Sequence, residues 1–220
     1  MSTHKNLPST DPKDRQTWIR HCLYLAVITA VYHTLQFVAG VAIYKRTNSP
    51  ALITYALDAL VSAPAALLLA LRILRHNRID IIGVDEKWRF RAVAIGYMTL
   101  SLVGLYLGAT SLWYGRHSGR DLLSIVLAAV SMLAIPIIGS YMKSLAVELR
   151  SQTMKSTALF TFGNSYLSMV LLISQLLNIG MDNWWGDSLG ALVMFPFMMQ
   201  KGIQMLLDEG KHEYVEDTEE

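Results

Sequence analysis

The run LLSIVLAAVSMLAIPIIGSYM, Leu122 to Met142, holds 21 residues without one Lys, Arg, Asp or Glu. As a helix it rises about 30 Å, the thickness of the hydrocarbon core of a bilayer. Three more charge-free runs lie on either side of it: His21 to Tyr44, Ala92 to Gly115 and Ser156 to Met181. Two further apolar runs, Ala51 to Leu71 and Trp184 to Gln200, are interrupted only by Asp58 and Asp187. The pattern predicts an all-α, polytopic membrane protein with six transmembrane helices. Composition agrees, because 16% charged residues falls well below the roughly 25% of a water-soluble domain.

Within 220 residues, six spans leave only short loops and two tails. The expected organisation is a polar N-terminal segment (1–20), a transmembrane domain (21–207) and an acidic, disordered tail (208–220), seven of whose thirteen residues are Asp or Glu. No second folded domain of ordinary size fits, which excludes a soluble enzyme, a nucleic-acid binder and a disulfide scaffold. Cys22 is the one cysteine.

Lys and Arg are distributed unevenly. The N-terminal segment, the second and fourth loops and the C-terminal end carry fifteen, counting Lys201 and Lys211, against four in the other loops. The positive-inside rule then places both termini in the cytoplasm of a plasma or bacterial inner membrane. Trp18, Trp88, Trp113, Trp184 and Trp185 fall at or near the ends of the runs, where an amphipathic ring prefers the interface.

Polar side chains inside hydrocarbon cost free energy, at least about 2.5 kcal/mol for Asp near a helix centre, and so mark functional candidates. Here they are Asp58 in the second run, His33 and Gln36 in the first, and Asn164 in the fifth. At 1.5 Å per residue, His33 lies about 16 Å and Asp58 about 20 Å from the cytoplasmic face, one shared level near mid-membrane. Such a pair makes either a neutralising hydrogen bond or two ligands of a divalent cation. The plainer alternative is a protonated Asp58, or one bonded to Gln36 or Tyr55. Thr157, Thr161, Asn164 and Ser168 share a helical face, where hydroxyls commonly bond back to their own helix.

The pairs Gly104/Gly108 and Gly186/Gly190 permit close backbone approach, within the chain or across a dimer seam. Met194, Met198, Met199 and Met205 read as apolar filler or as soft-metal ligands. The chain has no His-Glu-x-x-His, Gly-x-Ser-x-Gly, phosphate-binding glycine loop or Cys-x-x-Cys, so no enzyme activity is expected and no permanently bound cofactor.

Ser49-Pro-Ala-Leu-Ile-Thr-Tyr-Ala-Leu-Asp58-Ala-Leu-Val-Ser62 resembles the second helix of the cation diffusion facilitator family. Ser151 to Ser168 is similar to its fifth helix, and Trp184-Trp185-Gly-Asp187 to the Trp-x-Asp-Pro opening of its sixth. The similarity covers about residues 20 to 207. It implies the family's six-helix fold, a homodimer, and export of a divalent cation, usually zinc, against protons. In the family two ligands four apart on helix 2 face two on helix 5. By this resemblance Asp58 keeps one ligand position, Ser62 stands at the second, Phe160 at the third and Asn164 at the fourth, while Gln36 and Thr157 occupy places that often carry acids. The expected cation site is therefore Asp58, Asn164, His33 and Ser62, with zinc or another divalent ion as cargo. The lost ligands keep a second reading open, a non-transporting relative that serves as a membrane scaffold or as partner of another membrane protein.

Overall fold

The computed structural model describes residues 12–76, 84–149, 152–180 and 184–216. Among the described residues the chain is all-helical: α1 Pro12–Thr47, α2 Pro50–His76, α3 Val84–Trp113, α4 Leu122–Glu148, α5 Gln152–Gly180 and α6 Trp184–Glu216. All six are long and apolar enough to cross a membrane, over Gln16–Thr47, Pro50–Leu74, Arg91–Trp113, Leu122–Glu148, Thr157–Gly180 and Trp185–Leu207. Large apolar side chains such as Leu35, Leu133 and Ile137 point outward, as a lipid-facing surface requires.

Both outer helices overrun the expected spans. Pro12 sits at the first position of α1, where its missing N–H costs nothing, so residues 12–20 of the expected N-terminal segment are helical. At the other end α6 continues to Glu216, so residues 208–216 are helical where a disordered tail was expected. Extending a helix already nucleated in the membrane is far easier than starting one, and Glu and Lys propagate it well. Residues 1–11 and 217–220, the remainder of the two expected tails, lie outside the described residues, as do Lys5, Arg78 and Arg150 from the basic residues that set the orientation.

Three helix pairs dominate the packing, α1 with α2, α3 with α6 and α4 with α5, and α2 also touches α3, α5 and α6. Asn48, at φ 52°, makes the tight turn from α1 into α2, and Ser49 then caps α2 by accepting the Leu52 N–H at 3.1 Å. The glycine pairs serve contacts within the chain: a Cβ on Gly104 would stand 2.7 Å from Thr54, and one on Gly190 2.6 Å from Ser174. Gly40 allows α1 to approach α2, its absent Cβ leaving room for Ala56. Met194 and Met198 are fully buried beside Leu52, Tyr55, Leu167 and Leu171, as apolar filler.

Pro64, Pro136 and Pro196 interrupt the hydrogen-bond ladders of α2, α4 and α6. Pro64 follows Asp58 by six residues and Pro196 precedes Lys201 by five, so the two helices that meet at the charged centre are both weakened within two turns of it.

Candidate functional site

Two layers of buried polar side chains cross the bundle. The first lies at the end opposite the helix termini Pro12 and Glu216. Here Ser49 Oγ donates to Asp187 Oδ1 at 2.8 Å, and Gln175 Nε2 donates to the same oxygen at 2.8 Å and to Ser49 Oγ at 3.1 Å. Ser124 Oγ closes the set by donating to Gln175 Oε1 at 2.8 Å. Asp187 lies in the first turn of α6, where the exposed N–H groups of the helix favour an acid. This layer ties α2, α4, α5 and α6 together through one carboxylate and one amide.

Nine residues along α2 from Ser49, or about 14 Å, lies the second layer. Leu52, Tyr55, Leu167, Leu171, Met194 and Met198, all fully buried, fill the space between the layers. Ile19, Cys22, Leu25, Leu69, Ile73, Met142 and Leu145 pack into a separate apolar cluster toward the opposite end.

The second layer holds all four residues expected to line a cation path. Its centre is an ion pair: Lys201 Nζ on α6 donates to Asp58 Oδ1 on α2 at 2.7 Å, and neither side chain is more than 7% exposed. The same ammonium donates to Asn164 Oδ1 on α5. Its remaining side faces the Tyr97 ring of α3, 5.5 Å from the centroid, where the negative face of the ring attracts a cation.

Asn164 is the hub. With its oxygen given to Lys201, its Nδ2 donates to His33 Nε2 at 3.4 Å and to Ser62 Oγ at 3.3 Å. That order fixes the imidazole. Nε2 must accept, so Nδ1 carries the proton and donates to Gln36 Oε1 at 3.1 Å, leaving His33 neutral. Ser62 and Tyr97 share a further bond at 2.8 Å. Five helices thus supply one connected set, in which Asp58 Oδ2 and Gln36 Nε2 are the buried polar atoms left without a partner.

Two readings of the sequence are corrected by this arrangement. Asp58 faces neither His33 nor Gln36 as its bonding partner, and Tyr55 bonds instead to Ser168 at 2.8 Å; the partner is Lys201. Lys201, counted with the basic residues outside the membrane, is 5% exposed in the interior. Its helix continues to Glu216, and its ammonium is turned inward onto Asp58 and Asn164. Ser168 and Thr161 do bond back to carbonyls four residues earlier, at 3.0 and 2.9 Å. Phe160 is half-buried and brings no donor atom.

Chemically, the centre offers a cation the Asp58 carboxylate, the Asn164 and Gln36 amide oxygens, the Ser62 and Tyr97 hydroxyls and, on rotation of Asn164, the imidazole nitrogen of His33. Two of these oxygens already hold the ammonium. Among the described residues no three His, Cys, Asp or Glu stand close enough to form a metal cage of their own. Compared with family models and with curated proteins, the chain matches none.

Proposed function

We propose that the chain is a divergent secondary transporter of the cation diffusion facilitator type, exchanging a cation against protons through the Asp58 centre. One observation carries this reading: a carboxylate and an ammonium are held in contact in the membrane interior, linked through Asn164 to His33 and Ser62. Two ions buried together contribute little to stability compared with an apolar pair, because their mutual attraction mostly offsets their lost hydration. Ionisable groups kept at such depth are characteristic of ion and proton pathways. The resemblance of α2, α5 and α6 adds a zinc-like divalent cargo, with Asp58, Asn164, His33 and Ser62 as its ligands, and a homodimer as the assembly. With Lys201 removed from the count, fourteen basic residues still oppose four, which supports cytoplasmic termini.

Flux in proteoliposomes tests the proposal. Zinc, manganese, cobalt or sodium uptake driven by a pH gradient should exceed that of empty vesicles and fall to that background in Asp58→Ala. Equal uptake in the variant and the wild type, or background uptake in both, overturns it.

A scaffold role is favoured by a different feature: Lys201 already neutralises Asp58, and the other family ligand positions carry Ser62, Phe160 and Asn164, none of them charged. On that reading a stoichiometric membrane partner copurifies from native membranes and no cation moves.

A further inference from the structure

We propose that Asp187, Gln175 and Ser49 form a second cation site, at the end of the bundle opposite Pro12 and Glu216, and that it takes one small monovalent cation of the sodium type. The site lies about 14 Å along α2 from the Asp58 centre, so it stands whether or not that centre transports.

This layer is one hydrogen short. Asp187, Gln175, Ser49 and Ser124 are all fully buried, so each polar contact among them needs a hydrogen or a positive charge between its two atoms. Ser124 Oγ stands 2.6 Å from the Asp121 carbonyl oxygen and 2.8 Å from Gln175 Oε1, and its hydroxyl has one proton for these two acceptors. Given to Asp121, the nearer one, the proton leaves Gln175 Oε1 facing an oxygen lone pair. Turning the amide over repairs that contact, because Nε2 then donates to Ser124 Oγ. Oε1 meanwhile comes into the place Nε2 held, 2.8 Å from Asp187 Oδ1 and 3.1 Å from Ser49 Oγ. Ser49 has already given its proton to Asp187 Oδ1 and accepts the Leu52 N–H, so no hydrogen remains to join Oε1 to the other two oxygens. In either orientation of the amide one contact is empty.

Asp187 Oδ2 is the second deficit, buried and without a hydrogen-bond partner. Asp58 has Lys201 as its counter-ion, whereas the hydrogen-bond partners of Asp187 are a neutral hydroxyl and a neutral amide. A cation seated between the Asp187 carboxylate, the turned Gln175 Oε1 and Ser49 Oγ removes both deficits together.

The donor set selects the ion. Every ligand is an oxygen, which suits a hard cation and not zinc, whose preferred partners are sulfur and nitrogen. One carboxylate balances one positive charge, and a dication would leave a net charge in the dry interior. The α3–α4 loop encloses the place: Gly119 N–H donates to Thr47 O at 2.7 Å and Asn178 Nδ2 to Ser118 Oγ at 2.9 Å, pinning the loop to the ends of α1 and α5. A bare ion fits beneath it; an organic cation does not. The ligands come from the head of α2, from α5 and from α6, so occupancy holds three helices together and registers as stability.

The experiment is thermal unfolding of the full-length protein in detergent micelles, purified without sodium, in sodium chloride against choline chloride at equal ionic strength. Wild type should melt higher in sodium, saturably, by about 3 to 6 °C at tenfold over the dissociation constant. Asp187→Asn keeps the shape, loses the charge, and should melt alike in both salts. The double variant Asp58→Asn with Lys201→Met, which strips the central ion pair, should keep the full sodium response. Gln175→Glu puts a second carboxylate at the gap and should gain a larger shift from calcium chloride than wild type shows.

A proton on Asp187 would fill the gap as well as a cation; sodium then has no advantage over choline in wild type, and the inference fails. A sodium response retained by Asp187→Asn, or lost from the double variant, places the ion elsewhere and overturns it too. Should Asp187→Asn not fold, Gln175→Glu decides: a larger calcium shift than in wild type supports the site, and its absence overturns it. Cation flux through Asp58 is read separately in proteoliposomes and stands or falls apart from these outcomes.

Discussion

Lys201 Nζ and Asp58 Oδ1 meet at 2.7 Å across 143 residues of sequence, in a bundle that also holds apolar clusters around Leu52 and Met194 and around Cys22 and Met142. Removing one member leaves the other as an uncompensated buried charge. Asp58→Asn or Lys201→Met alone should each lower stability in detergent by about 3 to 5 kcal/mol, while the double variant returns to within about 1 kcal/mol of wild type. Thermal or SDS unfolding of the four proteins checks this. Additive losses would show that the two side chains do not depend on each other.

Asn164→Asp restores a carboxylate at the position where the resemblance places one. The centre then carries two negative charges against one lysine, a better host for a dication. Zinc affinity should rise at least tenfold over wild type by titration calorimetry, with sodium affinity changing less. A fall in zinc affinity would argue against Asn164 as a ligand position.

Gly40 and Ala56 form a complementary contact between α1 and α2, since a Cβ on Gly40 would stand 2.8 Å from that of Ala56. Gly40→Ala should cost about 1 to 3 kcal/mol through overpacking. Adding Ala56→Gly should recover most of that loss in the same melting assay, because the swap moves the methyl group across the interface without adding volume.

Cys22 is fully buried, which leaves the native protein silent toward polar thiol reagents and makes single engineered cysteines readable. Arg116→Cys, on the exposed α3–α4 loop, should label with an impermeant maleimide applied to intact cells. Glu148→Cys, exposed at the end of α4, should label only after permeabilisation. The reverse pattern would invert the proposed orientation.

Much of this architecture was legible in the sequence because a bilayer imposes a length and a polarity that few other environments do. Asp58, His33 and Asn164 stood out as rare polar groups in long apolar runs, and the depths of Asp58 and His33 along their helices placed those two near one level. Lys201 was not legible in the same way. A lysine following a charge-free run reads as the membrane boundary, and only the neutral residues Gly202 to Leu207 after it, with Met194, Met198 and Met205 at spacings of four, three and four around it, mark it as part of the buried stripe. Gln175 was missed because glutamine is unremarkable alone; its importance comes from Asp187 and Ser49, which reach it from other helices.

Opposite charges held in contact also decide how the molecule meets an electric field. A transmembrane voltage acts on each unpaired elementary charge with about 2.3 kcal/mol per 100 mV across the full thickness, but Asp58 and Lys201 sum to zero and feel only a weak torque. Any step that parts them, by lifting the proton from one or carrying an ion to the other, turns a field-blind interior into one on which the membrane potential can do work.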